Sequence, residues 1–303
     1  MNDAQPVIFA LEPHPLFNSL CQKLTAVAGR IDTRHFPDGE TYLRVETSVA
    51  DCDCIILANL SHPDGKFLPL VFLAATLREL GASSVGLIAP YLSYMRQDCR
   101  FIEGEAITSR IFAKQVSQQV DWLVTVDPHL HRYRSLNEIY DIPCCVVQGA
   151  AALADWLKDQ EKVFLVGPDA ESEQWVSQIA SHAGLEFVVG EKQRYGDRDV
   201  AVTLPDLSHL QAHTAMIIDD VISSGQTILS CVEALKEQGI KSIKCAAVHG
   251  IFANNIDDVL LQRGLVQLIT TNTIPHRSNH VEIADLLVTP VLDYLHLIRR
   301  SKL

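Results

Sequence analysis

Positive charge is scarce in this chain of 303 residues: 25 lysines and arginines face 37 aspartates and glutamates, for a formal net charge of −12. Nonspecific nucleic-acid binding needs a basic face, so no nucleic-acid partner is expected. Any phosphate group the chain binds must be held by local cations, backbone N–H groups or Mg²⁺. No apolar run approaches the roughly 20 residues that span a bilayer, so no membrane partner is expected either. The eight cysteines include no C-x-x-C pair, which leaves a zinc site or a thioredoxin-like motif without its spacing. They read as reduced, mostly buried thiols. The segment from Met1 to Pro6 is polar and acidic, unlike the basic start of a signal peptide, and the expected location is the cytoplasm.

What the chain does contain is a soluble composition, 48% hydrophobic and 20% charged, with length enough for two domains. Short apolar runs alternate with helical periodicity, the pattern of an α/β protein. Strands are predicted at Val7–Leu11, Cys54–Leu60, Val85–Pro90, Trp122–Asp127, Val163–Gly167, Phe187–Val189, Ala215–Asp219, Lys244–His249, Leu268–Thr271 and Leu286–Val288. Helices are predicted at Pro15–Ala28, Phe67–Leu80, Glu105–Gln119, Ser172–Ala183, Gln226–Gln238 and Asn254–Arg263. The expected fold is two tandem doubly wound domains with mostly parallel sheets, residues 1–146 and 147–303, the last helix being a candidate to return to the first domain. No Gly/Ser-rich or Pro-rich linker separates them. Ligands of open α/β sheets bind at the carboxyl ends of strands, and polar clusters follow strand ends in both halves.

The most informative cluster is Met216-Ile217-Ile218-Asp219-Asp220-Val221-Ile222-Ser223-Ser224-Gly225-Gln226-Thr227. A buried strand delivers two carboxylates and a small-residue turn to the start of a helix. Backbone N–H groups, hydroxyls and the helix dipole there favour a phosphate. Asp219 and Asp220 repel an anion unless hydroxyls or a metal intervene, so the string reads as a site for a ribose carrying a 5-phosphate. An Asp-rich turn capping a helix explains one Asp and one Ser but not the whole string.

Five further segments carry polar chemistry. Phe36-Pro37-Asp38-Gly39-Glu40 is a strong turn signal running into a strand, and a plain hairpin loop would also account for it. Tyr91-Leu92-Ser93-Tyr94-Met95-Arg96-Gln97-Asp98 follows a strand; Arg96 is a fork donor suited to phosphates, or a surface ion-pair partner. Val126-Asp127-Pro128-His129 sets a histidine just past a strand end, where a lone histidine is by default structural, as is His131. Gly167-Pro168-Asp169 places a hard oxygen donor at a strand end. Lys192 and Arg194, in Glu191-Lys192-Gln193-Arg194-Tyr195-Gly196-Asp197, fall on a polar loop and by themselves read as solvated charges.

Taken in order, these segments resemble the ribose-phosphate pyrophosphokinases (PRPP synthetases), which share the ribose-5-phosphate loop with type I phosphoribosyltransferases. The resemblance runs from Phe36 to Pro275 and is nearer the archaeal-type branch, judged by Arg100 to Ile107. It implies ATP binding by Phe36, Asp38, Glu40, Arg96, Gln97 and His129, with the Phe36 loop often reaching a neighbouring subunit's adenine and hence a homo-oligomer. It implies Mg²⁺ as cofactor, with His129 and Asp169 as metal residues. Ribose 5-phosphate would bind at Asp219, Asp220, Ser223, Ser224, Gly225, Gln226 and Thr227. Lys192 and Arg194 match the catalytic flexible loop that closes over the transferring phosphates. His249 matches an architectural strand-end position. The chain departs from the family pattern at Leu130-His131-Arg132-Tyr133, at Ala170 to Trp175, at Ser223 and at Asn272.

The implied reaction moves the β,γ-diphosphoryl group of Mg-ATP to the anomeric hydroxyl of ribose 5-phosphate, giving PRPP and AMP. Two alternatives stand beside it: a phosphoribosyltransferase that uses PRPP, against which the first half speaks, and a non-catalytic regulatory relative.

Overall fold

In the computed structural model, residues 5–130, 132–170, 172–194 and 200–301 are described, with the backbone alone at 192–194, 200, 201 and 301. The chain divides into two compact units, Met1–Gln148 with Ile283–Leu303, and Gly149–Glu282.

The first unit begins with β1 (Val7–Ala10), α1 (Leu16–Lys23) and β2 (Val27–Ala28). An antiparallel hairpin follows, β3 (Ile31–His35) and β4 (Thr41–Val45). Then come β5 (Asp53–Leu57), α2 (Asp64–Glu79), β6 (Ser84–Ala89), α3 (Thr108–Ser117), β7 (Trp122–Val126) and β8 (Cys144–Val147). The sheet order is β2-β1-β5-β6-β7-β8, parallel throughout. β5, β6 and β7 are buried along their whole length, as central strands covered on both faces must be.

The second unit contains α4 (Ala150–Leu157), β9 (Val163–Gly167), α5 (Glu173–Ala183) and β10 (Phe187–Val189). A second antiparallel hairpin, β11 (Glu191–Arg194) with β12 (Val200–Thr203), precedes β13 (Thr214–Ile222). The unit continues through α6 (Gln226–Glu237), β14 (Ser242–Gly250), α7 (Ile256–Gln262), β15 (Gln267–Thr271) and β16 (Asn279–Val281). Its sheet order, β10-β9-β13-β14-β15-β16, repeats that of the first sheet strand for strand. In both units the hairpin is inserted after the second strand of the parallel sheet. Two sequences of little mutual identity thus fold to one topology, because alternating apolar strands and amphipathic helices leave few other right-handed, unknotted ways to cover both sheet faces.

The last helix, α8 (Ala284–Ser301), joins the first unit. Tyr294 stacks on the buried Trp122 with ring centroids 5.4 Å apart. Arg299 Nε donates to Asp53 Oδ2 at 2.8 Å, and the same carboxylate accepts from Ser84 Oγ at 2.6 Å. Trp122 lies opposite Gly86 across the β6–β7 ladder, and a Cβ at Gly86 would run into the indole. The absent side chain is what lets the indole lie against the strand.

Three element predictions are corrected. Leu286–Val288 is not a strand but the first part of α8; a short apolar run has no periodicity to tell strand from helix. Val27–Ala28 is β2 rather than the end of α1, which stops at Lys23. β13 runs three residues beyond Asp219, because its partner β14 extends to Gly250 and keeps pairing with it. The α/β class with two mostly parallel sheets holds.

Candidate functional site

In the second sheet the strand order reverses between β9 and β13, and the crevice outside the carboxyl ends of such a strand pair is where doubly wound sheets bind ligands. β13 pairs with β9 only as far as Ile217 opposite Val166, yet with β14 as far as Ile222 opposite Gly250. Residues 218–222 therefore border the crevice on their β9 edge. Asp219 and Asp220 lie in that overhang, both half-buried, and Asp169 follows the end of β9 by two residues.

The electrostatics of this trio are unfavourable without a ligand. Burial, then the carboxylates of Asp220 and Asp169, push the Asp219 carboxyl well above its ordinary value, although the Asp220 N–H donates to Asp219 Oδ1 at 3.0 Å and pulls the other way. Asp169 also serves its own loop: Ser172 N donates to Asp169 Oδ1 at 3.1 Å, and Ser172 Oγ to its carbonyl at 2.6 Å, at the entry to α5. Sugar hydroxyls donating to these carboxylates, or a cation, would relieve the crowding. Among the described residues no three of His, Cys, Asp and Glu form a ready-made metal cage. Mg²⁺ does not need one, since it keeps several waters and is held by one or two carboxylates plus substrate phosphates. The oxygen donors of Asp169, Asp219 and Asp220 fit it; His129, a nitrogen donor on the first unit, suits it less by chemistry.

Beyond Ile222 the chain turns through Ser223, Ser224 and Gly225 into α6, which buries Ile228, Cys231, Val232 and Leu235 at helical spacing. Gly225 is left-handed, φ 68°, and a Cβ there would strike Ile256 at the start of α7. The carbonyls of Ile222 and Ser223 accept from the N–H groups of Ile251, Phe252 and Ala253 at 2.9, 3.1 and 3.0 Å. The turn is thus pinned on its carbonyl side and presents Ser223 to Thr227 at the amino end of α6, where an anion is favoured.

Lys192 and Arg194 stand not on a loop but in β11, their backbones paired with Val202 and Val200. The alternation in this segment is too polar for a strand to be legible without its partner. Tyr195, Gly196 and Asp197 of the same predicted loop lie outside the described residues, as do His131 and Glu171.

In the first unit, Arg96 and Gln97 follow β6, and His129 follows the adjacent β7. Arg96 is exposed. Gln97 Oε1 accepts from Thr108 Oγ1 at 3.2 Å, and its carbonyl from Ser109 N at 3.3 Å. The neighbouring Asp98 is buried, with Arg132 Nη1 on Oδ1 at 2.6 Å and the Tyr133 hydroxyl donating to its carbonyl at 3.2 Å. Arg132 and Tyr133 were missed as site-building residues, although their departure from the family's small-residue run was the available signal. Tyr94, Asp127 and His129 take positive φ values of 63°, 34° and 55°, a concentration of backbone strain expected at functional loops.

Phe36, Asp38 and Glu40 form the exposed tip of the β3–β4 hairpin. Asp38 Oδ1 accepts from Glu40 N at 3.1 Å and steadies the turn. The Arg34 guanidinium lies 5.0 Å from the Phe36 ring centroid and 4.4 Å from that of Tyr42. His249 is buried, its Nδ1 2.9 Å from Thr273 Oγ1, as an architectural residue would be.

Two parallel sheets of identical order, one carrying an acidic strand end and a phosphate-type turn at its switch point, define a chain built from phosphoribosyltransferase-type domains. Residues 7–119 match the N-terminal domain of ribose phosphate pyrophosphokinase, and residues 135–281 the phosphoribosyl transferase domain. A ribose-phosphate pyrophosphokinase of Methanobrevibacter smithii is 31% identical over 87% of this chain and 92% of its own length. That of Methanopyrus kandleri is 30% identical over 92% and 95%, and that of Sulfolobus acidocaldarius 32% over 84% and 88%. The crystal structure of phosphoribosylpyrophosphate synthetase from Mycobacterium smegmatis superposes with a TM-score of 0.81 at 24% identity, covering 97% of this chain and 99% of that one. The chain belongs to the ribose-phosphate pyrophosphokinase family.

Proposed function

We propose that the chain catalyses transfer of the β,γ-diphosphoryl group of ATP to the anomeric hydroxyl of ribose 5-phosphate, forming PRPP and AMP. The observation that carries this reading is the sequence of three carboxylates, a left-handed glycine turn and a helix amino end at the switch point of the second sheet. Asp219 and Asp220 accept from the ribose 2- and 3-hydroxyls, and Ser223 to Thr227 hold the 5-phosphate. The ribose is then fixed at both ends with its anomeric oxygen free to attack.

Arg96 and His129 serve the triphosphate, Gln97 and Phe36 the adenine, and Asp38 and Glu40 keep the Phe36 hairpin in shape. The anomeric oxygen attacks the β-phosphorus in line and loses its proton. The bond from the β-phosphorus to the oxygen that bridges it to the α-phosphorus breaks, and AMP leaves with that oxygen. Such transfers demand positioning and charge neutralisation above all, and Lys192 and Arg194 supply cations for the spreading charge. Asp169, together with substrate oxygens, would hold Mg²⁺, which would supply charge neutralisation to the polyphosphate.

A homo-oligomer is supported by the exposed Phe36 hairpin tip, which is free to reach a neighbouring subunit's adenine as the resemblance implies. A reducing, cytoplasmic setting is supported by the eight cysteines, all of them free thiols. No helix among the described residues is long and apolar enough to cross a membrane.

The test is to incubate the purified chain with Mg-ATP and ribose 5-phosphate and to separate the nucleotides. AMP in step with PRPP is expected. Stoichiometric ADP would mean an ordinary kinase, and no turnover would favour the non-catalytic relative.

A further inference from the structure

Behind the ribose-phosphate turn lies a stretch of strained backbone that the reaction itself does not use. Phe252, Asn254 and Asn255 all take left-handed φ values, 51°, 56° and 56°, immediately before α7. None is glycine; asparagine enters this region at little cost, but for Phe252 the conformation persists only where the surroundings over-determine it. This stretch supplies the N–H groups of Phe252 and Ala253 that hold the carbonyls of Ile222 and Ser223, and it sets Ile256 against Gly225. Whatever fixes residues 252–256 therefore fixes the turn.

The fixing groups come from the start of α7 and from the segment that joins β15 to β16. Asp257, buried, accepts from Arg277 Nη2 at 2.5 Å, and the same nitrogen also bonds Asp258. His276 Nε2 stands 3.4 Å from the Asp257 carboxylate, and its ring lies 4.5 Å from that of Phe252. The ring is oriented by Ser278, whose hydroxyl is 2.7 Å from His276 Nδ1. Burial pushes the Asp257 carboxyl up, but the Arg277 guanidinium and the Asp258 backbone N–H outweigh it and hold the carboxyl below its usual range.

We infer that Asp257 and Arg277, with His276, form a clasp that positions the ribose-phosphate turn by locking the strained 252–256 segment against Ile222, Ser223 and Gly225. They are positioning residues, acting through the backbone and not on the substrate. The inference rests on the reading of residues 219–227 as the ribose 5-phosphate site. A misplacement of about 1 Å relayed from a distant residue is enough to cost on the order of a hundredfold in function.

The test uses the intact chain with Asp257→Asn, which removes the buried charge while keeping the shape, and Arg277→Lys, which keeps the charge but loses the planar fork. Calorimetry with ribose 5-phosphate and separately with Mg-ATP gives the two affinities, and hydrogen exchange reports on the amides of residues 223–227. Asp257→Asn is expected to weaken ribose 5-phosphate by roughly ten- to a hundredfold, to leave Mg-ATP within about twofold, and to speed exchange of the turn amides. Arg277→Lys should fall between it and the parent; it carries the same test if Asp257→Asn does not fold. Parent-like ribose 5-phosphate affinity and turn protection in the folded variants would overturn the clasp. A parent chain that binds no ribose 5-phosphate would instead overturn the reading of the turn.

Discussion

Lys66 Nζ stands 2.8 Å from Glu12 Oε1 and 2.9 Å from the Asn59 carbonyl oxygen, at the switch point of the first sheet between β1 and β5. Glu12 lies two residues past the end of β1, as Asp169 lies two residues past the end of β9. The two units thus share a topology but not a charge balance: the first unit sets a lysine from its own α2 against its strand-end acid, whereas in the second the carboxylates of Asp169 and Asp220 crowd that of Asp219.

A chain plugged in this way should bind one ribose 5-phosphate per protomer, and isothermal titration would reveal a second site if the first unit had kept one. Lys66→Ala should not open such a site. It should lower stability by about 1–3 kcal/mol, because a part-buried carboxylate and a backbone carbonyl lose their donor, a change a denaturant melt resolves.

Burial and the Asp220 and Asp169 carboxylates disfavour the charged form of Asp219 and raise its folded pKa. The folded state then holds a proton that the unfolded state has already released, so stability falls as pH rises through the raised value. In Mg²⁺-free buffer Asp219→Asn should therefore raise the melting temperature at neutral pH. The gain should fade as pH drops toward the ordinary carboxylate range. The same variant combined with Asp220→Asn should cripple use of ribose 5-phosphate while sparing ATP binding. Equal loss of both ligands would show that the strand end serves the nucleotide.

Gly225→Ala should cost about 1–2 kcal/mol for a left-handed residue, with a further penalty for the collision with Ile256. Adding Ile256→Ala should relieve the collision but not the backbone strain, so ribose 5-phosphate affinity should recover only in part. Full recovery would mean that φ at residue 225 is not what shapes the turn.

Lys192→Ala should lower kcat by about 10²–10³-fold, the scale for removing one preorganised donor from developing charge, while KM for ATP moves far less. Steady-state kinetics alongside a thermal melt would decide. Near-normal turnover would return Lys192 to a solvated charge and leave the diphosphoryl group to other cations.

Much of this was readable before any fold was known, because the chemistry sits in contiguous strings. A strand-to-helix turn such as Asp219 to Thr227 carries its acids, its glycine and its hydroxyls within nine residues, and local rules of strand burial, turn chemistry and helix amphipathicity act at that range. The α/β class, the long central strands and α6 followed from the same local periodicity. Where periodicity was short or mixed, the reading failed: Leu286–Val288 took its helical state from docking on the first unit, and Lys192 and Arg194 took theirs from strand partners ten and six residues further along the chain.

What the sequence by itself determined is the set of local conformations and the order in which polar groups arrive at strand ends, since both depend on neighbours within one turn of helix or one strand. What only the tertiary structure decided is which of those groups meet. Arg277 reaches Asp257 across 20 residues and Arg299 reaches Asp53 across 246, and Lys66, not a ligand, answers Glu12. Such pairs are chosen by sheet order and by the balance of buried charge, which are properties of the packed chain as a whole and leave no spacing in the sequence to read.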